Sequence, residues 1–198
     1  MNVENFTIDY VSDQLGLTWK DPDIVEKVKG AGFGSLEYFD RKHFFRLKVN
    51  EIKNQYPEYI SNAPKVVLDV SAGNGIQLEI MRMLGHGIMG LDAPNSLFSL
   101  LACSQGIPII KHNCNNLPLP FSSQSVDLLT NVGALHFYSV PWGDVIKEFM
   151  RVSRETICVF VSKGDIFDRN KHILDTFKQK GWKRIPLSKE YMYKWVKY

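Results

Sequence analysis

The stretch "VVLDVSAGNG" at positions 66–75 sets the interpretation of the rest of the sequence. Its continuous run of aliphatic and β-branched residues is typical of a strand buried on both faces. A loop of small residues with Gly73 and Gly75 follows, and apolar residues then recur at helical spacing over 76–84. A buried strand, a glycine turn and an amphipathic helix in this order predict the first unit of a parallel α/β sheet.

The alternation of strands and helices continues to residue 162. The sequence predicts strands at 66–70, 88–91, 108–111, 126–131 and 156–162, and helices at 36–56, 76–84, 95–104, 142–152 and 168–180. Two last strands, 183–186 and 191–197, are too close in sequence for a parallel crossover and must therefore be antiparallel.

We therefore predict a Rossmann-like, doubly wound α/β fold. It has a mostly parallel seven-stranded sheet, a C-terminal antiparallel hairpin and an N-terminal helical lid. Residues 1–60 form the helical segment and lid, and residues 61–198 form the Rossmann-like domain.

Composition narrows the class of protein. The net charge is +3, and the sequence has no long run of basic residues. Nucleic acid is therefore a permitted partner but is not indicated. Cys103, Cys114 and Cys158 lie far apart, which predicts neither a disulfide framework nor a metal site. The N-terminus lacks an apolar signal segment, and no apolar run reaches membrane-spanning length. We expect a cytoplasmic protein without membrane association.

The polar residues around the glycine turn indicate the ligand class. Ligands of open α/β sheets bind outside the carboxyl ends of the strands. Leu78 replaces the third glycine of a dinucleotide fingerprint, and Asp69 would repel a pyrophosphate. Asp92, about 20 residues past the turn, stands where an acid accepts hydrogen bonds from a ribose diol. A nucleoside ligand with positive charge fits this pattern, and S-adenosylmethionine has a cationic sulfonium and ammonium.

Several ordered motifs resemble the class I S-adenosylmethionine-dependent methyltransferases. The small-molecule-like group of that family has the pattern "VLDVGCGTG … GxD … GDAxxLPLPFxDxSFDLV". Here the corresponding segments read "VVLDVSAGNG", "IMGLDAPNSL" and "HNCNNLPLPFSSQSVDLLTNVGALHF", and the resemblance covers roughly residues 65–162. It implies the fold predicted above, S-adenosylmethionine as cofactor and S-adenosylhomocysteine as product.

The resemblance also implies positions for cofactor-binding residues. Around the methionine moiety it places Asp69, Ser71, Gly73 and Gly75. At the ribose and adenine it places Asp92, Ala93, Asn113 and Cys114, and beneath the methyl group Asn131 and Val132.

The sequence departs from the family pattern in three places. Ser71 and Ala72 replace Gly-Cys, which is tolerable if Ser71 does not need a positive φ. Asn113 replaces Asp, so its amide oxygen would accept from the adenine amine without charge assistance. The segment "RVSRET" replaces "RVLKPGG", which predicts a shorter loop before the fifth strand.

Two further features have alternative interpretations. His136 could be a general base, or a packing residue at the rim of the site. In "RKHFFRLK" (41–48), Arg46 or Lys48 could approach the cofactor carboxylate, and Phe44, Phe45 and Tyr38 could wall the acceptor site. The alternative is an amphipathic helix with a solvated basic face.

The predicted function is methyl transfer to a small-molecule O, N or C nucleophile. The fourth strand ends in "TNVGALHF", without the motifs expected for methylation of a nucleic-acid base. An RNA or protein methyltransferase and a non-catalytic S-adenosylmethionine-binding or partner-binding module are the alternatives. The acceptor and the oligomeric state are left open by the sequence.

Overall fold

The computed structural model describes residues 1–32, 39–161, 165–187 and 191–198. One sheet contains the strands β1 (Val66–Val70), β2 (Gly87–Asp92), β3 (Ile109–Lys111), β4 (Val126–Val132), β5 (Ser153–Phe160), β6 (Trp182–Ile185) and β7 (Met192–Lys197). Their order is β3-β2-β1-β4-β5-β7-β6. β1 to β5 are parallel, and β7 is antiparallel to both β5 and β6. The predicted fold class is confirmed.

Helices cover both faces of the sheet. They are α1 (Ile8–Leu15), α2 (Pro22–Gly30), α3 (Arg41–Gln55), α4 (Glu58–Ser61), α5 (Ile76–Met83), α6 (Phe98–Ser104), α7 (Trp142–Val152) and α8 (Asp165–Thr176). One apolar core lies under α1, α3 and α5, and a second lies under α7 and α8 on the opposite face. Within the described ranges, no helix is both long and apolar enough to span a bilayer.

The strand order reverses beside β1, and this reversal locates the site. The chain passes from β1 to β2 on one side, whereas β4 pairs with β1 on the other. Asp69 of β1 lies opposite Thr130 of β4 in the parallel register. A crevice forms at such a switch point because the connections on its two sides leave in opposite directions.

Most predicted elements are present, with shifts at their ends. The helix predicted at 36–56 begins at Arg41, because the side chain of Asp40 caps it by accepting the His43 N–H. Tyr38 lies outside the described residues, as do Phe33 and Gly34. The segment "RVSRET" has no loop at all, since α7 passes directly into β5 at Ser153. The last predicted residue of that strand, Ser162, is likewise outside the described residues.

The described part of the N-terminal segment packs as a helical layer on α5. Phe6 and Val11 are fully buried in the same core as Phe45. A buried guanidinium joins this layer together: Arg41 lies 3.0 Å from a carboxylate oxygen of Glu79 and donates to the Gly16 carbonyl at 3.1 Å. α1, α3 and α5 are therefore linked through one side chain.

We expect Arg41→Met to lower the free energy of unfolding by about 3 to 5 kcal/mol, because Glu79 would stay buried without its partner. The double variant Arg41→Met/Glu79→Leu should recover most of this loss, since it removes both charges. Urea denaturation followed by circular dichroism measures both effects.

Lys42→Met is the matched control, because Lys42 is the exposed neighbour on the same helix. It should change stability by no more than about 0.5 kcal/mol. A loss in Arg41→Met as small as that of the control would contradict the role assigned to the ion pair.

Candidate functional site

A cavity of about 520 Å³ opens at the carboxyl ends of β1 and β4. This volume is within the range of small-molecule sites. The tip of β1 and its glycine turn form one side, and α3 forms the opposite side. The ends of β4, β5 and β7 complete it with Val132, Gly133, Phe160, Tyr191 and Met192.

Asp69 lies at the inner end of this cavity in a chain of hydrogen bonds. The Thr130 hydroxyl donates to Asp69 Oδ1 at 2.7 Å, and the amide of Gln77 donates to the same hydroxyl oxygen at 2.7 Å. Lys48 Nζ in turn donates to Gln77 Oε1 at 3.0 Å. Thr130 and Gln77 were not predicted, although Thr130 directly opposes Asp69 on the adjacent strand. The chain holds the carboxyl in one orientation.

Burial changes the acid strength of Asp69. Desolvation is the main cause that raises the pKa of this carboxyl to about 7, while the positive charge of Lys48 and the Thr130 hydrogen bond oppose the rise. The group therefore exchanges its proton near neutral pH. A cation bound in the cavity would favour the ionised form and lower this pKa.

The two predicted glycines have different roles in the turn. Gly73 has φ +55° and lines the cavity, and the nearest atom to a Cβ there would be the Ser71 carbonyl oxygen at 4.0 Å. Gly75 has φ +75°, and a Cβ atom there would lie 2.6 Å from the Cβ of Ala102 in α6. Gly73 thus leaves bare backbone towards the cavity, whereas Gly75 is required for helix packing.

Ser71 adopts a left-handed backbone conformation, with φ +63°. Serine was expected to be tolerable here only without a positive φ, and this condition is not met. A left-handed backbone conformation costs a residue other than glycine about 1 to 2 kcal/mol. A hydrogen bond of 2.7 Å between the Ser71 and Tyr138 hydroxyls offsets part of this strain.

Asp92 points towards the glycine turn, and its role at the ribose stays a prediction. Its Oδ2 accepts the Gly73 N–H at 3.1 Å and the Ser96 hydroxyl at 2.9 Å, and its Oδ1 accepts the Ala93 N–H at 2.8 Å. Neither Asp92 nor Ala93 lines the cavity. The carboxylate therefore stabilises the glycine turn from outside the cavity in this conformation.

Tyr138 was not predicted, yet it joins three predicted cofactor residues. Its hydroxyl lies 2.7 Å from the Ser71 hydroxyl and 2.9 Å from the amide nitrogen of Asn131, and it hydrogen-bonds the thiol of Cys114. Asn131 and Cys114 are buried and line no part of the cavity. The cavity thus reaches Asp69, Ser71 and Gly73 of the residues predicted at the methionine moiety, but neither Gly75 nor those predicted at the adenine.

The remaining predicted residues lie around this arrangement. Val132 lines the cavity. Asn113 is exposed, and its side-chain oxygen accepts the N–H of Asn115 at 3.0 Å. His136 lies in a 3₁₀ turn, Leu135–Phe137, and does not line the cavity. Burial lowers the pKa of its imidazole. Its role as a base stays a prediction.

The structure shows which candidate residues of the segment 41–48 line the cavity. Phe44 and Lys48 line the cavity, Phe45 is buried in the core, and Arg46 is exposed. The sequence does contain this pattern, because residues 44, 47, 48, 51, 54 and 55 share a second face of α3 at helical spacing. That face was missed because its residues are mostly polar.

Comparison with known proteins gives the family. Residues 68–158 match a family model described as "Methyltransferase domain". The matched segment, just under half of the chain, and the fold are those of the class I S-adenosylmethionine-dependent methyltransferases. The predicted family and cofactor are confirmed. No protein in the search of curated sequences matches the chain.

Two solved structures of S-adenosylmethionine-dependent methyltransferases share the fold. An S-adenosylmethionine-dependent methyltransferase of Aquifex aeolicus is 16% identical, over 80% of this chain and 98% of that chain, with a TM-score of 0.51. One from Thermotoga maritima is 16% identical, over 79% and 99%, with a TM-score of 0.50. The match to the YcgJ protein of Bacillus subtilis, at 21% identity and a TM-score of 0.48, covers 60% of this chain and spans 55% of that protein.

The residues that line the cavity fit the charges of S-adenosylmethionine. The methionine moiety has an ammonium and a carboxylate, and Asp69 and Lys48 supply the opposite charges within one cavity. Gly73 leaves its backbone free of a side chain beside them. Asn131 Oδ1 is buried and has no hydrogen-bond partner among the described residues, so it is available to a ligand donor.

We expect S-adenosylhomocysteine to bind more tightly as the pH rises from 6 to 8. The raised pKa of Asp69, about 7, means that half of the carboxyl groups are protonated near neutrality. A ligand ammonium requires the ionised form, so binding should release up to one proton per site. Calorimetric titration in buffers of different ionisation enthalpy measures this release.

Asp69→Asn should bind more weakly and lose the pH dependence in this range. If proton release is unchanged in this variant, another group is responsible for the linkage.

Proposed function

We propose that this protein transfers the methyl group of S-adenosylmethionine to an O, N or C nucleophile of a small molecule. The observation that carries the proposal is one cavity that joins Asp69 and Gly73 at the strand tips to an apolar and amide-rich wall. Cofactor and acceptor would then share a single enclosed space. The family match supports the reaction, and the volume of about 520 Å³ supports a small acceptor.

The cofactor contributes a methyl group bound to a sulfonium, whose sulfur keeps the bonding electrons when a nucleophile attacks the methyl carbon. Asp69 binds the ammonium, and Lys48 binds the carboxylate. Lys48 is well placed for this because Glu51 Oε2, 3.0 Å away, and Gln77 hold its ammonium group at the cavity. Asp92 and Ala93, with Asn113 and Cys114, bind the adenosyl group.

The acceptor lies between α3 and the ends of β5 and β7. Phe44, Phe160 and Met192 provide apolar surface there, while Asn50 and Asn54 provide amide groups for orientation. Holding a nucleophile in line with the methyl group can supply most of the rate enhancement by itself. α3 acts as the wall that excludes water from the reacting atoms.

We assign residues 1–60 to a helical segment that closes the acceptor side, and residues 61–198 to the Rossmann-like domain. α3 supplies this closure, since seven of its residues line the cavity: Phe44, Leu47, Lys48, Asn50, Glu51, Asn54 and Gln55. Deleting residues 1–35 would remove Phe6 and Val11 from the core. Single substitutions are therefore the sharper test of this segment.

Lys48→Met should weaken S-adenosylhomocysteine binding by about 10- to 100-fold, because it removes one charge-assisted hydrogen bond to the ligand carboxylate. Isothermal titration calorimetry measures the affinity. The control Lys42→Met removes the same charge from an exposed position of α3 and should bind as the wild type does.

Incubation with methyl-labelled S-adenosylmethionine and separate pools of small molecules, RNA and proteins tests the reaction. Label in the small-molecule pool supports the proposal. Label in RNA or protein would support those acceptors instead. Tight binding without transfer to any pool would favour a non-catalytic module, and no binding at millimolar ligand would end the proposal.

We propose His136 as the general base. The ring does not line the cavity, so the 3₁₀ turn must move to bring it there. His136→Gln should then lower kcat by about 100-fold and remove the acid limb of the pH–rate profile, while cofactor affinity stays unchanged. An unchanged kcat would assign His136 to packing.

A further inference from the structure

One tyrosine hydroxyl joins residues that were predicted at the methionine moiety, beneath the methyl group and at the adenine. Tyr138 hydrogen-bonds Ser71, Asn131 and Cys114, which come from three separate segments of the chain. The open cavity ends before Asn131 and Cys114. Ser71 lines the cavity and hydrogen-bonds Tyr138, so the tyrosine hydroxyl lies just beyond the cavity, beside these two residues.

We propose that Tyr138 is a displaceable plug that closes the adenosyl half of the site, and that the cofactor binds when this side chain withdraws. The proposal rests on the proposed function, because it takes these residues as the cofactor site. It adds a conformational step and names the residue that controls it.

The polar groups around the plug are those that a nucleoside can satisfy in its place. Ribose hydroxyls can both donate and accept, as the tyrosine hydroxyl does, and so can replace it at Ser71 and Asn131. Among the described residues, Asn131 Oδ1 has no hydrogen-bond partner while Tyr138 is in this position. Asp92 Oδ1 accepts the Ala93 N–H and has a second acceptor position that a ribose hydroxyl can use.

Leu135 fixes the start of the segment that carries Tyr138, because it is fully buried in the core, so the proposed movement is confined to the residues that follow it. The segment begins at Gly133, whose φ of +67° is accessible at little cost to glycine alone, and ends at Pro141, before α7. Phe137 within it is 74% exposed and so is not held by the core. Besides the Tyr138 contacts, the Ser139 N–H donates to Asn115 Oδ1 at 2.7 Å, which is an exposed and easily broken bond.

Ser71 acts as the latch for this plug. Its positive φ would be unstrained in glycine, so the hydroxyl that holds Tyr138 is kept against a backbone cost. Ser71→Gly should remove both the strain and the latch. We expect the variant to bind S-adenosylhomocysteine more tightly than the wild type, since a larger fraction of molecules would be open.

Cysteine labelling reports the position of the plug without any ligand. Cys114 is 7% exposed and is hydrogen-bonded to Tyr138. Cys103 is exposed, whereas Cys158 is buried in the core on the opposite face of the sheet from α7. Alkylation with iodoacetamide, followed residue by residue with mass spectrometry, should label Cys103 quickly in all variants. Tyr138→Ala should increase the rate at Cys114 by at least about tenfold and leave Cys158 unchanged.

Two variants control for the fold. Phe137→Ala removes the exposed neighbouring aromatic ring and should leave Cys114 as protected as in the wild type. Tyr138→Phe keeps the ring and removes only the hydroxyl, so it should preserve the melting temperature while labelling of Cys114 rises by a few-fold. It should also bind S-adenosylhomocysteine severalfold more tightly, because the closed state loses its hydrogen bonds.

Each outcome decides between distinct conclusions. Unchanged Cys114 labelling in Tyr138→Ala and Tyr138→Phe would overturn the plug. Weaker S-adenosylhomocysteine binding in Tyr138→Phe would also overturn it, since Tyr138 would then be a ligand contact. Faster Cys114 labelling with no binding by any variant would confirm that Tyr138 covers Cys114 but overturn the proposed function, and with it cofactor entry by this route.

Discussion

A carboxyl group buried at the tip of β1 is the constraint on which the site depends. Asp69 is 4% exposed, and desolvation raises its pKa to about 7, so the fold holds it close to the balance between neutral and charged forms. Thr130, Gln77 and Lys48 form a continuous chain of hydrogen bonds that orients it. A cationic ligand is the partner that such a group lacks, and the methionine end of S-adenosylmethionine has the matching charge.

The N-terminal helices link this site to the stability of the helical layer that α1, α3 and α5 form. Arg41 ties α3 to α5 through Glu79 and to the end of α1 through the Gly16 carbonyl. The same helix α3 presents Lys48 and Phe44 to the cavity. One face of α3 is therefore a core face and the other a site face, so changes that loosen the helix should affect both stability and ligand binding.

Ser71 combines backbone strain with the proposed closure of the site. Ser71 has a positive φ where glycine would be relaxed, and its hydroxyl bonds Tyr138. A local cost of this kind persists only when the surrounding structure holds it, and it is frequent at functional sites. The departure from the family pattern at Ser71 and the presence of Tyr138 in the site are thus two parts of one arrangement.

The sequence alone determined the sheet, the glycine turn, and the two acids at adjacent strand ends, because alternation of buried strands and amphipathic helices is a local pattern. β1 and α7 were predicted with their observed bounds. The tertiary structure decided what surrounds Asp69 and Ser71, since Thr130 and Tyr138 are far from them in sequence and reach them only through strand register and loop path. It also decided that Gly75 serves packing against α6 and that Ser71 is strained, because a φ angle and a neighbouring helix are not encoded in the spacing of residues.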